Sequence, residues 1–283
     1  MKTVIAKACS SLGVHVNGAE KGPKELDIDN LVDKVLIEEA DIKNKELEKD
    51  NKRKNFKEVN NFNKSLYNKI VKEKDFVITI GGDHSIAIGS DLASIKKYPG
   101  EGLLWIDAHS DYHTLDSTIS GNIHGMPFAT ISGQNGNELS NFFDGEYFDP
   151  KKTVLIGGRD IEAPEYEIIK NAGVKIFTTE DIKKLGVKKV MEESITIAGN
   201  NMHISYDLDV IDPLVAPGVS VKAVNGINEK EAYEILDILL DNIDKINSFD
   251  LVEFNPDNDK DDVTKNIALN ILNKLIKKVK EKN

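Results

Sequence analysis

Leu103-Leu104-Trp105-Ile106-Asp107-Ala108-His109-Ser110-Asp111 is an apolar run that passes directly into Asp, His and Asp at every second position. Alternate side chains of an extended segment point to one side, so Asp107, His109 and Asp111 can converge on one point. A second run ends similarly, at Phe76-Val77-Ile78-Thr79-Ile80-Gly81-Gly82-Asp83-His84-Ser85, where the glycine pair lets the backbone turn sharply and deliver His84. A third, Met202 to Tyr206, continues into Asp207-Leu208-Asp209. Three strands with ligand-capable ends predict a parallel sheet, because open parallel sheets bind ligands beyond the carboxyl ends of their strands.

Further short apolar runs lie at Thr153–Ile156, Val174–Phe177 and Leu251–Val252, and Met1–Ala8 reads as a first strand rather than a signal peptide. Several are apolar on both parities, as strands covered on both faces should be. Helix-like segments separate them, including Thr179–Glu193 and Glu229–Asn242. Val263, Ile267, Ile271 and Leu275, four apart, predict an amphipathic C-terminal helix. Alternation of this kind indicates βαβ units, hence an α/β class. With no repeat, linker or break in composition, residues 1–283 are expected to form one domain. Asp27–Lys57, with the charged block Asn44–Arg53, is expected to be a solvated loop or helix face.

The balance of 40% hydrophobic and 30% charged residues is that of an ordinary globular chain. A net charge of −11 argues against nucleic acid, which needs clustered Lys and Arg, and suits a cationic substrate. The single cysteine, Cys9, excludes an intramolecular disulfide and a cysteine-based zinc site, and a reducing cytoplasm is the expected location. No apolar stretch approaches the roughly 20 residues of a membrane span, so no membrane partner is expected.

The three strand ends present two imidazoles and four carboxylates, Asp107, Asp111, Asp207 and Asp209. A lone Asp-x-His is usually a surface pair or a core histidine with a partner, and Asp-x-Asp alone is as common. Three such clusters, each closing an apolar strand, are a different matter. So many carboxylates cannot share a partly dry cleft unneutralised, and bound cations are the simplest answer. Oxygen and nitrogen ligands without thiolate favour a hard or intermediate metal such as manganese. The surplus of carboxylates suggests two ions bridged by Asp107 and Asp207, able to activate a shared water. His203, inside a strand, reads as a satisfied core histidine; His15 and Cys9 read as structural, and Tyr112 as packing.

The stretches Gly81–Ser85, Asp107–Asp111 and Ser205–Pro213 closely resemble the signatures of the arginase–agmatinase (ureohydrolase) family. The resemblance continues at Gly18–Pro23, Ser120–Pro127, Gly157–Asp160 and Glu253–Pro256, and spans nearly the whole chain in the family's order. It implies a three-layer α/β/α sandwich on a largely parallel sheet, and a homotrimer or homohexamer. It also implies two Mn2+ per subunit, one held by His84, Asp107, Asp111 and Asp207 and the other by Asp107, His109, Asp207 and Asp209. His124 matches the proton-shuttling histidine, Glu253 the guanidinium-binding glutamate, and Asp209 could accept a hydrogen bond from the nucleophile. Ser120 and Asn122 match residues that read arginine's α-carboxylate.

Three departures break the pattern. His113 stands where arginases carry an asparagine, Glu162 where an aspartate reads the α-amino group, and Ser220-Val221-Lys222 replaces a Gly-Thr-Pro. The expected substrate is a small cationic guanidino compound, arginine first, with agmatine or another guanidino or formimino compound as alternatives. A third reading is a catalytically weak metal-binding oligomer with a regulatory role; the intact His124 and Glu253 argue against it, since a binding protein needs neither.

Overall fold

Each central strand carries apolar side chains on both parities, and the structure shows what each parity meets. The computed structural model describes residues 2–43, 45–46 and 53–282. Eight strands form one parallel sheet: β1 (Thr3–Cys9), β2 (Lys34–Glu39), β3 (Phe76–Gly81), β4 (Gly102–Ile106), β5 (Thr153–Gly158), β6 (Lys175–Thr178), β7 (Met202–Asp207) and β8 (Ile246–Val252). The helices are α1 (Gly22–Glu25), α2 (Phe56–Ile70), α3 (Ala87–Lys97), α4 (Pro127–Ile131), α5 (Ala163–Ala172), α6 (Thr179–Leu185), α7 (Val187–Ala198), α8 (Glu229–Asp241) and α9 (Val263–Glu281).

Ile78, Ile80, Leu104 and Ile106 pack with Met191, Ile195, Leu236, Leu239 and Leu272 of α7, α8 and α9. Val77, Leu103, Trp105 and Leu155 pack on the other face with Phe62, Leu66, Ile88, Leu92 and Phe128 of α2, α3 and α4. The expected three-layer α/β/α sandwich is the observed one. Full burial of each such side chain is worth about 1.5–3 kcal/mol, so the two helical layers supply most of what holds the sheet.

The strand order is β2-β1-β3-β8-β7-β4-β5-β6. The chain lays down one half with β1 to β3 and the other with β4 to β6, then inserts β7 and β8 between them. The crevice where the order changes therefore lies over β3, β8, β7 and β4, the switch point at which such sheets bind ligands. Asp207 closes β7, Asp107 and Glu253 directly follow β4 and β8, and His84 lies three residues beyond β3.

Two expectations need correction. The charged stretch Asp27–Lys57 is not only loop or helix face, because it contains the edge strand β2. Its charges pair outward, Lys34 with Glu73 at 2.7 Å and Glu38 with Lys69 at 2.6 Å, which protects an edge with a single neighbour. Exposed pairs contribute at most about 1 kcal/mol each, so β2 is held by its ladder to β1 and by Leu36. Of the block Asn44–Arg53, residues 44 and 47–52 lie outside the described residues. The second correction concerns Thr179–Glu193, which is two helices, α6 and α7, broken at Gly186 with φ +84.

After β3 the chain passes so close to β1's exit that a Cβ on Gly82 would lie 1.8 Å from the Ser10 carbonyl oxygen. Gly82→Ala should therefore cost about 2 kcal/mol or more, at the upper end of overpacking penalties, and displace His84. Denaturant unfolding measures it; a variant as stable as the parent would contradict this account of the turn.

Candidate metal centre

Asp83 begins the site by capping its own turn, accepting from Ser85 N at 2.9 Å and from Gly13 N at 3.0 Å. That turn aims His84 along the sheet edge. Its ring stacks on Trp105, centroids 4.0 Å apart and 7° from parallel. Its Nε2 lies 2.9 Å from Ser205 Oγ. Its Nδ1 faces Asp107 Oδ2 at 3.1 Å, Asp111 Oδ2 at 3.2 Å and Asp207 Oδ2 at 3.0 Å.

A second imidazole sits beside the first. His109 Nδ1 lies 2.8 Å from Asp209 Oδ2 and 3.6 Å from Asp107 Oδ1. Asp107 thus turns one oxygen towards each histidine. Asp207 turns one oxygen to His84 and accepts from Asp209 N with the other, at 2.7 Å. The groups His84–Asp107–Asp111 and Asp107–His109–Asp209 each offer ligand atoms within 4.8 Å of one another. All six expected ligands come together.

His84 Nδ1 is buried, and three carboxylate oxygens surround it. Oxygens gathered around one ring nitrogen suit a shared cation, and the oxygen and nitrogen donors fit one or two hard or intermediate divalent ions. With Nε2–H donating to Ser205 Oγ, a metal-binding His84 would keep its Nδ1 lone pair towards the ligand position, the usual outer-layer arrangement of a metal histidine.

Charge balance agrees. Burial and the negative charges of Asp209 and Asp107 push the Asp207 carboxyl well above the usual range, and burial with Asp107 pushes Asp111 up to about 7. Burial also opposes ionisation of Asp107, but His109 and His84 outweigh it and hold this carboxyl low. Burial works against the His84 imidazolium too, yet Asp107, Asp111 and Asp207 hold its pKa well above normal. Protons stand in for missing positive charge.

Beside the metal-ligand group lies His124, whose Nδ1 is 3.4 Å from Glu253 Oε1. Burial opposes its charge, and Glu253, Asp111 and Asp83 more than offset this, raising its pKa. Glu253 accepts from His84 N at 2.9 Å through Oε1, while its buried Oε2 has no partner. Asp111 (φ 47) and Glu253 (φ 68) both adopt left-handed backbone conformations, a strain that clusters at functional sites.

A cleft of about 190 Å³ opens above, lined by His109, Asp111 and His124 and by the expected mouth residues His113, Ser120, Asn122 and Glu162. His84, Asp107, Asp207, Asp209 and Glu253 do not line it and are more deeply buried. His113 Nε2 is engaged by Glu162 (3.3 Å) and Glu165 (3.5 Å), and its Nδ1 by Ser117 (3.0 Å). Asn122 bonds the His15 ring at 3.1 Å, so His15 stands at the mouth rather than in a purely structural place.

Sequence reasoning missed Ser205 and Glu165. Ser205 stands two residues before Asp207, on the same strand face, and that spacing could have found it. Glu165 offers its signal as an acid three residues into α5, where it accepts from Glu162 N, Ser110 Oγ and Tyr112 N. His203 is a core histidine, bonded to Ser248 Oγ at 2.7 Å and 3.2 Å from Asp91. Burial opposes its charge, but Asp91 and Asp250 hold its pKa at about 9, so it pairs as an imidazolium. Cys9 is buried, which pushes its thiol up to about 11 and leaves it inert. Tyr112 packs edge-on against Phe128, centroids 5.0 Å apart.

Residues 3–277 match the model described as "Arginase family". The arginase of Bacillus subtilis (strain 168) is 34% identical over 281 residues, covering 94% of this chain and 95% of the relative. The crystal structure of arginase from Bacillus subtilis superposes with a TM-score of 0.86 at 32% identity, covering 98% of each chain. That of Entamoeba histolytica arginase in complex with L-ornithine gives 0.86 at 29%, again over 98% of each.

The Asp111 carboxyl is raised to about 7, so where it serves as a metal ligand, metal uptake competes with protons. Its folded pKa lies above the ordinary one, so the proton is bound below about 7 and released above it. Affinity for Mn2+ should therefore fall on acidification from pH 8 to pH 6, by up to roughly tenfold per unit for each proton displaced. Calorimetric titration in buffers of different ionisation heat measures both affinity and proton release; an affinity independent of pH would contradict the assignment.

Proposed function

The chain belongs to the arginase family, and on that premise we propose that it hydrolyses the guanidino group of arginine, releasing urea and ornithine. The family is metal-dependent, and this chain has His/Asp groups that could bind metal. Our reading assigns two Mn2+ per subunit, one to His84, Asp107, Asp111 and Asp207, the other to Asp107, His109, Asp207 and Asp209. When bound, such ions supply Lewis acidity that lets water act as a nucleophile near neutral pH. Residues 1–283 would act as one unit in the cytoplasm, as a homotrimer or homohexamer.

The observation that carries the reading is the buried, unpartnered Oε2 of Glu253 beside His124. A guanidinium is a planar cation with paired donors, and a carboxylate oxygen held free of other partners is placed to orient it. Asp209 is positioned to accept a hydrogen bond from the attacking water. His124, kept basic by Glu253, then delivers a proton to the departing amine, which would otherwise leave as an anion. Ser120 and Asn122 are the donors for arginine's α-carboxylate, and Glu162 accepts from its α-amino group.

Agmatine is the second reading, favoured by one observation. His113 Nε2 is already engaged by Glu162 and Glu165, so it offers the carboxylate no free donor. Steady-state kinetics with both compounds decide. Losing one hydrogen-bonded partner costs about 1–3 kcal/mol, so an arginine-reading mouth should disfavour agmatine by roughly tenfold or more in kcat/KM. Agmatine turned over as well as arginine would overturn the substrate and leave guanidino hydrolysis in place.

Two substitutions test the roles. His124→Ala should cut urea release by about 100- to 10,000-fold with metal content intact, and unchanged turnover would remove His124 from the chemistry. Asp107→Ala, which strips a carboxylate shared between both imidazoles, should lose more metal than His84→Ala or His109→Ala. Equal metal in all three variants would refute bridging.

A further inference from the structure

The Gly157-Gly158-Arg159-Asp160 segment follows β5, and the chemistry above uses no side chain of Arg159. Its guanidinium nevertheless lies behind the metal centre and spends its donors on main-chain carbonyls. Nη2 donates to Asp209 O at 2.7 Å and Ala223 O at 2.8 Å. Nη1 donates to Val210 O at 3.0 Å, and Nε to Val224 O at 3.0 Å. The Arg159 amide donates to Ala108 O at 2.8 Å, and Ala108 N donates to Asp209 Oδ1 at 3.1 Å. One residue thus touches the segments after β4 and β7 and the far end of the loop from residue 213 to 226.

That loop carries the departure Ser220-Val221-Lys222, and Val221 lines the cleft. Its base is closed by Asp212, which accepts from Gly226 N at 2.9 Å, and its outward leg is tied at Gly218, whose carbonyl accepts from Asn255 N at 2.7 Å. The return leg at 223–224 is held to the Asp209–Val210 segment through Arg159. Among the described residues Arg159 makes no ion pair. Burial pushes its pKa down, while Asp209, Asp107, Asp212 and Asp207 push it up, so its charge is felt by the site's carboxylates across the intervening backbone.

We propose that Arg159 is a positioning residue that couples substrate fit to the metal centre. Its planar donor fork pins the loop carrying Val221 against the Asp209–Val210 segment, and its fixed charge offsets part of the site's negative charge and so competes with a bound cation. A lysine could supply the charge but not a rigid fork reaching four carbonyls on two segments. The kinetic half of the proposal rests on the reading of the cleft given above; the metal and loop-mobility half does not.

Arg159→Lys and Arg159→Gln separate the two contributions, read by urea-release kinetics, resistance of bound Mn2+ to chelator, and amide hydrogen exchange. Arg159→Lys should keep its metal, raise KM by about tenfold or more with kcat changed by less than about threefold, and exchange faster only around residues 219–226. Arg159→Gln should show the same loop effect and also hold its metal to about tenfold higher chelator concentration, since a fixed cation beside the site opposes an incoming divalent ion and its loss is worth roughly one factor of ten. Arg159→Lys with parental KM and parental exchange would overturn the clamp, as would acceleration spread through the whole sheet, which marks general destabilisation. Equal metal retention in both variants would overturn the charge contribution. If Arg159→Gln does not fold, Arg159→Lys alone decides the clamp, and loss of metal by that lysine variant would overturn the charge contribution. If the parent releases urea from neither arginine nor agmatine, the substrate reading fails, while exchange and metal retention still decide the role of Arg159.

Discussion

Six carboxylates, Asp83, Asp107, Asp111, Asp207, Asp209 and Glu253, lie at one edge of one sheet, none more than 6% exposed. Two unit charges 4 Å apart repel by about 4 kcal/mol at the effective dielectric typical near a protein surface, so the group cannot stay ionised unaided. Main-chain donors offset part of the cost: Gly13 and Ser85 to Asp83, His109 to Asp107, Asp209 to Asp207, Ala108 to Asp209 and His84 to Glu253. Charge-assisted bonds contribute about 1.5–3 kcal/mol each, too little to neutralise every neighbour pair. The remainder falls to His84, His109, His124, the Arg159 cation and, in our reading, metal ions.

The rest of the molecule can be understood as the support that this charge density requires. Asp111 and Glu253 occupy left-handed backbone conformations that cost about 1–3 kcal/mol each, and they persist only where the surroundings over-determine them. Here the surroundings are strands whose register is fixed by apolar packing on both faces. Tyr206 sits opposite Leu251 and Ile106 opposite Tyr206, so Asp207 and Asp107 emerge level with one another and Glu253 one residue beyond them. A slip of one residue in any of these strands would send its ligand to the opposite face.

This explains what could be read from the sequence. β3, β4 and β7 are mostly apolar runs that lead into His and Asp residues, so both the sheet and the gathering of these six side chains at its edge were legible from pattern alone. β2 was not, because an edge strand is covered less and Lys34, Glu38 and Glu39 mask its period. The break at Gly186 was hidden because Val187, Val190 and Met191 carry apolar character straight past it. Ser205 and Glu165 carry only weak local signals, a spacing of two from Asp207 and an acid in the first turn of α5, and their contacts with His84 and His113 come from the fold. The ion pairing of His203 with Asp91 and Asp250 likewise joins three elements distant in sequence.

Substrate choice is harder to read for a different reason. The ligand residues are placed by the sheet, while the mouth is built from the segments 113–125, 159–165 and 219–225 that cross above it. Changes there need not disturb any ligand, since Val221 and Glu162 touch none of the six. Their effects run instead through side chains that compete for one another. A histidine in place of an amide at position 113 adds an ionisable ring, and Glu162 and Glu165 already claim its Nε2. What the mouth offers a substrate therefore depends on how strongly those two acids hold His113. That is a balance between neighbouring side chains, set by distances of about a hydrogen bond, and no single residue's identity contains it.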